Sequence, residues 1–361
     1  MQKRTICCKL NTFPQNAEEL ERTSQVFADA CNFVLGIAKQ EKVSDAIRLH
    51  ELCYKQVRAL FGLKANLAIR SIRRVSATLT RLKGKRRAPK KFSPKSIDYD
   101  ARIFSFWEEK EMISLTTMAG RIRIPLQLGA FQRQALVGQT PTSATVIKKR
   151  GIWYIHMVVE YPTPVNENQK PMGVDLGINN IAATSTEMII EGESRQTYKE
   201  KRARVRASLQ SKNTKGAKKV LKRISGKEKR RITHENHILS KQLVKEAKRH
   251  DCGVIRMEQL KEIRSKTKRW DKHSNREMAG WSFYQLQQFV TYKAAFEGIS
   301  IELVNPCYTS QTCHICFKIG VRNKSRFTCL TCGDQHADVN ASYVIALGGV
   351  VRKPARISNF G

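Results

Sequence analysis

The sequence is short of acidic residues and has no long apolar run. In 361 residues, Asp and Glu number 31 against 66 Lys and Arg, a formal charge of +35. An excess of that size is costly in self-repulsion unless a polyanion neutralises it, and nucleic acid is the commonest such partner. A membrane surface is the rival polyanion, but the basic residues recur through most of the chain rather than in one block. No stretch approaches the roughly 20 apolar residues of a membrane span, and the start, MQKRTICCKLNTF, has no signal-peptide core. A cytoplasmic protein with no membrane partner is therefore expected. In that reducing compartment the ten cysteines are expected as thiols, not disulfides. Cys7, Cys8, Cys31, Cys53 and Cys252 lie in apolar stretches and read as core residues.

What is present is enough apolar sequence, 41%, for two or three folded domains. Residues 4 to 10, RTICCKL, read as a strand. Residues 16 to 82 change period: Leu20, Phe27, Ala30, Val34 and Ile37 recur every three to four residues, as a core-facing helix requires. Two more helices follow, around SDAIRLHELCYKQVRALF and NLAIRSIRRVSATLTRL. From 100 to 162 the signal is strand: RIFSFW, MISLTT, RIRIPL, ATVIKK and IWYIHMVVEY, with short turns between. A strand, a helical insertion and further strands suggest a β-barrel interrupted by a helical bundle. YPTPVNENQKP, residues 161 to 171, marks a linker, and α/β sequence follows it.

Two basic runs stand out. In the third helix Arg70, Arg74 and Arg81 share a face, and the stripe continues into KGKRRAPKK. Residues 70 to 95 hold eleven cations and no acid. With nothing acidic interleaved, Arg70, Arg74, Arg81, Lys83, Lys85, Arg86, Arg87, Lys90 and Lys91 are candidates for a phosphate-tracking groove rather than a solvated face. Residues 199 to 231 carry fifteen cations against two Glu, and their spacing predicts a helical hairpin turning near Thr214 to Gly216.

Three carboxylates sit where carboxylates are expensive. Asp175 lies in the apolar strand of MGVDLGINN, Glu258 ends the strand GVIRMEQL, and Asp338 stands at a helix start in HADVNASYVIALGG. Singly, Asp175 suits a structural turn, Glu258 a solvated strand end and Asp338 an N-cap. Together, on two strands and a helix start in a basic α/β domain, they suit a two-metal phosphodiester site built from hard oxygen ligands. Cys313, Cys316, Cys329 and Cys332 form two C-x-x-C pairs with the spacing of a tetrahedral zinc ribbon. Four thiolates make a closed site, so this zinc is expected to be structural. Gly333 suits the turn of the second knuckle, and Phe317 stands at the matching place in the first. His314, His336 and Cys307 remain alternative ligands.

With these residues assembled, the chain resembles the TnpB family, transposon-encoded proteins related to type V CRISPR effectors. GVDLGINNIAATS looks like the first RuvC motif, VIRMEQL the second and HADVNAS the third. The run WSFYQLQQFVTYKAAFEGISIELVNPCYTSQTCHIC is similar to the family's passage from helix through strand to the zinc pair. The resemblance covers most of residues 172 to 347, and the N-terminal half matches only in general plan.

The resemblance implies a multidomain α+β and α/β protein. A wedge β-barrel (residues 1–12 and 90–165) would hold an inserted helical recognition lobe (13–89). A RuvC nuclease domain of RNase H-like fold (172–305 and 335–350) would hold an inserted zinc ribbon (306–334), with a tail at 351–361. It further implies an RNA-guided DNA endonuclease with guide RNA and target DNA as partners, cutting next to a short adjacent motif and nucleoid-associated when on DNA. Asp175, Glu258 and Asp338 would hold Mg2+, and Arg326 is similar to a family arginine near the scissile phosphate. Guide pairing would read the target sequence while the protein holds the backbone. Two alternatives use the same parts: a nuclease-inactive RNA-guided repressor, which predicts a lost carboxylate, and an RNase H-fold transposase performing strand transfer.

Overall fold

The computed structural model describes residues 2–82, 91–164, 166–260 and 282–349. The chain divides between Pro162 and Thr163 into two compact units. Among the described residues no helix is long and apolar enough to cross a membrane.

The first unit is built on a near-barrel sheet of seven antiparallel strands: β1 (Gln2–Leu10), β2 (Ser96–Asp100), β3 (Phe104–Trp107), β4 (Met112–Thr117), β5 (Gly120–Gln127), β6 (Ser143–Lys149) and β7 (Ile152–Tyr161). Their order is β2-β6-β7-β1-β5-β4-β3. The first strand alternates more cleanly than its sequence suggests: Ile6, Cys8 and Leu10 point inward, and Cys7 is exposed rather than in the core. A side-chain period of two sends neighbouring cysteines to opposite faces. Cys8, Cys31, Cys53 and Cys252 are buried.

Between β1 and β2 run α1 (Pro14–Gln40), α2 (Ala46–Phe61) and α3 (Ala65–Leu82). Pro14 begins α1 where its missing N–H is no loss. The Asp45 carboxylate caps α2 by accepting from the N–H groups of Ile47 and Arg48, and Gly62 ends it at φ 61°. Helices and sheet share one core: Leu20, Phe27, Leu49 and Ile72 pack in the same cluster as Ile6, Ile155 and Trp153. The inserted helices thus have no separate apolar interior. A short α4 (Ala130–Leu136) lies between β5 and β6.

The second unit has a five-stranded sheet in the order β10-β9-β8-β11-β12. It comprises β8 (Pro171–Asp175), β9 (Asn180–Thr184), β10 (Ile189–Glu191), β11 (Val254–Glu258) and β12 (Ser300–Val304). The β8-β9 and β9-β10 pairs are antiparallel, while β11 lies parallel to both β8 and β12. From β10 the chain enters α5 (Glu193–Lys212), turns at Asn213 with φ 44°, and returns as the 35-residue α6 (Lys215–Arg249), started by the Thr214 side chain. α6 and α7 (Phe283–Phe296) bring Leu239, Leu243, Leu286 and Val290 into the core with Val174 and Ile255. The chain then forms a three-stranded sheet of β13 (Val321–Asn323), β14 (Arg326–Cys329) and β15 (Gly333–His336), which leads directly into α8 (Ala337–Ala346).

Candidate functional site

The parallel register decides where two of the carboxylates go. Val174 is paired with Met257, so the next residues, Asp175 and Glu258, close neighbouring strands at the same carboxyl edge. That edge is where open α/β sheets place ligands. The third arrives on α8. Its close approach to β8 depends on Gly173: a Cβ there would lie 1.9 Å from the Ser342 carbonyl oxygen and 2.4 Å from the Ala346 nitrogen. No other residue leaves room for that helix. The N-cap of α8 is His336, whose ring accepts from the Val339 N–H at 3.4 Å. Asp338 is therefore not the cap, as its position alone suggests; it lies in the first turn and is buried.

The three carboxylates lie within electrostatic reach of one another. Asp175 is pushed up to about 8, first by burial and then by the charges of Glu258 and Asp338, with Arg322 and the Leu176 N–H opposing. Burial also raises Glu258, against the Thr309 hydroxyl and Arg322. Each outer carboxylate is tethered. Thr309 Oγ1 donates to Glu258 Oε1 at 2.5 Å, and Asn180 Nδ2 donates to Asp338 Oδ2 at 2.7 Å. The Arg322 guanidinium pairs with Asp338 Oδ1.

Arg322, on β13, is the arginine at this cluster. Arg326, the residue singled out by sequence, pairs instead with Asp334 on the next strand and is largely exposed. The two are four residues apart on one small hairpin, and strand register, invisible to spacing, decides which reaches the carboxylates. Asn180 and Thr309 were equally unmarked, being ordinary polar residues until the fold brings them together.

The four thiols of Cys313, Cys316, Cys329 and Cys332 lie within 4.8 Å of one another. Cys313 and Cys329 are buried with Phe327 and Ala337. Both knuckle turns use left-handed backbone, Phe317 at φ 59° and Gly333 at φ 78°. Burial opposes ionisation of Cys329, but the N–H groups of Cys332 and Thr331 and the neighbouring thiols outweigh it and hold its pKa at about 7. Cys332 is raised to about 12 by burial and by the other thiols. Four crowded thiols that resist joint ionisation suit a soft divalent cation, and the set can hold zinc. The alternative ligands are engaged elsewhere or exposed. His314 stacks on Tyr343 at 4.6 Å, His336 caps α8, and Cys307 is exposed.

Asn340 ties this cluster to the carboxylates. Its Oδ1 accepts from the His314 N–H at 2.9 Å, and its Nδ2 donates to the Thr312 carbonyl at 2.8 Å. It stands two residues beyond Asp338, so one helix holds the first knuckle and a carboxylate together.

The N-terminal basic stripe divides. Arg74 pairs with Asp98 at 2.5 Å, donates to the Ser96 carbonyl at 2.9 Å and covers the Phe27 ring at 4.8 Å. It therefore clamps α3 to β2 and is not offered to a ligand. Arg70 is partly buried, while Arg81 and Lys91 are exposed. Lys83, Lys85, Arg86, Arg87 and Lys90 lie outside the described residues.

The fold and site together define an α/β protein with a carboxylate cluster next to a four-thiol ribbon. The family model described as "Probable transposase" (OrfB_IS605) matches residues 154–264, and the Cas12f1-like TNB domain matches 283–345. A TnpB-like protein of Methanocaldococcus jannaschii is 35% identical over 121 residues, 34% of this chain and 43% of that one. A CRISPR-associated endodeoxyribonuclease Cas12f1 of Syntrophomonas palmitatica is 30% identical over 240 residues, 57% of this chain and 47% of that one. The chain spans less than half the length of these two relatives. Among solved structures, Cas12f1 in a complex with sgRNA and target DNA superposes with TM-score 0.68 at 17% identity, over 92% of this chain and 83% of that one. The mini-RNA-guided endonuclease CRISPR-Cas_phi3 gives 0.58 at 11% identity, over 98% and 94%. These two likenesses show the fold. The two family models and these relatives together support a TnpB-family protein.

Proposed function

We propose that this protein is an RNA-guided DNA endonuclease that hydrolyses target DNA next to a short adjacent motif in a RuvC-type site. The observation that carries the reading is that Asp175 and Glu258 end adjacent strands with Asp338 within electrostatic reach, so that burial first, and then the two neighbouring charges, oppose ionisation of Asp175. Three antiparallel strands followed by two parallel ones, with α8 across β8, fit an RNase H-like RuvC domain, and the near-barrel sheet fits a wedge domain. The relative named as a CRISPR-associated endodeoxyribonuclease, the solved Cas12f1 complex with sgRNA and target DNA, and the charge of +35 support guide RNA and target DNA as partners.

The residues fit magnesium. Carboxylate oxygens are the hard donors it takes, and mutual repulsion among three of them is what a divalent cation relieves. When bound, the metal would supply an activated water and stabilise the leaving oxygen. The protein's own part is positional. β8 and β11 hold Asp175 and Glu258 side by side, Asn180 and Thr309 each restrain one carboxylate oxygen, and Arg322 brings a cation able to meet phosphate charge.

The match to a transposase model favours one second reading, strand transfer by the same carboxylates. The test is the protein purified from cells carrying its native locus, with the co-purifying RNA sequenced and used to choose a target duplex. Asp175→Asn is expected to lower magnesium-dependent cleavage by at least about a thousandfold while target binding stays within twofold. Cleavage that survives would refute the site. Absence of co-purifying RNA, or products joined rather than cut, would favour strand transfer.

A further inference from the structure

The hairpin of α5 and α6 has no part in the carboxylate site, yet it is strongly basic. Between Lys201 and Lys227 there are eleven cations and no acid. At 3.6 residues per turn, the first half of α6 sorts into two opposite faces. Ala217 and Ile224 are buried, with Leu221 partly covered beside them. Opposite them, Lys215, Lys218, Lys219, Lys222 and Arg223 are all exposed, and the pattern returns at Lys229 and Arg230. Gly226 falls within that face and adds no side chain to it.

The ion pairs of the hairpin lie elsewhere. Arg206 on α5 pairs with Glu228, while Arg195 and Arg231 share Glu235 nearer the sheet. No described ion pair involves the seven outward cations. From Lys215 to Arg230 the face runs roughly 22 Å at 1.5 Å per residue, with about two cations per turn. A solvated helix face normally interleaves acids at i,i+4 spacing, which stabilises it. This one leaves its repulsion uncompensated.

We propose that the outward face of α6 binds the phosphate backbone of a nucleic-acid duplex. Charge selects a polyanion, and composition selects a duplex over a single strand. Residues 199 to 260 contain no Phe, Tyr or Trp, so the face has no platform for stacking unpaired bases. Flexible lysines and one or two arginines recognise backbone charge without reading sequence. The proposal rests on the nucleic-acid reading above for its class of partner, but not on cleavage.

The experiment measures affinity of the full chain against salt concentration by fluorescence anisotropy. The probes are a DNA duplex, an RNA–DNA heteroduplex and a single-stranded DNA of equal length, and poly-glutamate is the competitor. Replacing five cations together (K215Q, K218Q, K219Q, K222Q, R223Q) is expected to flatten the slope of log affinity against log salt by about 4.5 on a duplex, near 0.9 for each phosphate no longer neutralised. The charge-preserving set K215R, K218R, K219R and K222R is expected to keep the slope. Should the five-residue variant fail to fold, K218Q with K222Q is expected to flatten the slope by about 2. A larger change on the heteroduplex assigns the face to guide–target pairing, and on the DNA duplex to flanking DNA. Asp175→Asn is expected to keep the slope, so loss of cutting and loss of this surface are read separately. An unchanged slope, a loss confined to the single strand, equal loss in the arginine set, or full competition by poly-glutamate overturns the proposal.

Discussion

Asp175 binds a proton more tightly than an ordinary carboxylate because burial, and then the charges of Glu258 and Asp338, act against its ionised form. In the unfolded chain it would titrate near 3.8, in the folded one near 8. Between those values the folded state holds the extra proton, so its contribution to stability is complete at low pH and is lost as pH rises through about 8. Chelator-treated protein is therefore expected to melt at falling temperature from about pH 5 to pH 8. Asp175→Asn is expected to flatten that trend, and so is added magnesium, which takes the place of the proton. Differential scanning fluorimetry across pH reads both, and a wild-type slope that the substitution leaves intact would assign the trend to other groups. At this scale much was hidden in the sequence. Asp175, Glu258 and Asp338 could be singled out because a carboxylate in an apolar setting is anomalous. Arginines give no such signal: Arg74, Arg322 and Arg326 differ in what they do only because Asp98, Asp338 and Asp334 are set opposite them by tertiary packing.

Among the elements, the ribbon reaches further than its size suggests. Thr309 stands just ahead of its first cysteine, Arg322 lies on its first strand, and Asn340 fastens it to α8. Cys316→Ser is expected to lower zinc content and melting temperature together, because binding by a closed thiolate set is coupled to folding. It is also expected to raise the pH midpoint of the Asp175 trend, since Arg322 opposes that rise in pKa. Metal analysis and the same pH scan measure the two effects, and full zinc retention would count against the four-thiol site. The elements themselves were largely legible. α1, α2 and α3 declare a 3.6-residue period, and β7 a period of two. β2 and α4 were not. SIDYD places two acids in five residues, and AFQRQAL is too short for a helical period to show. α6 runs on to Arg249, well past the basic run at 199 to 231 that marks the hairpin in the sequence.

For the molecule as a whole, a charge of +35 sets its response to solution conditions. The described ion pairs engage only a minority of 66 cations, so in the free protein repulsion is screened mainly by salt. Raising KCl from about 0.05 M to about 0.5 M shortens the Debye length from well above 10 Å to about 4 Å. The free protein is expected to gain melting temperature over that range, while its complex with nucleic acid loses affinity. Scanning fluorimetry beside binding isotherms separates these opposite trends, and a free protein indifferent to salt would show that its charges are too dispersed to strain the fold.

The strand order carries one more consequence. Asp175 and Glu258 are 258 − 175 = 83 residues apart in the chain but end adjacent parallel strands. Between them β9 and β10 stay in the sheet, and the hairpin from Glu193 to Arg249 leaves it and comes back. Such a detour has no fixed length. Whole turns could be added to or removed from the two arms in step, altering how far the basic face extends while the ladder between β8 and β11 keeps its register. The reach of the protein and its chemistry are thus free to vary independently.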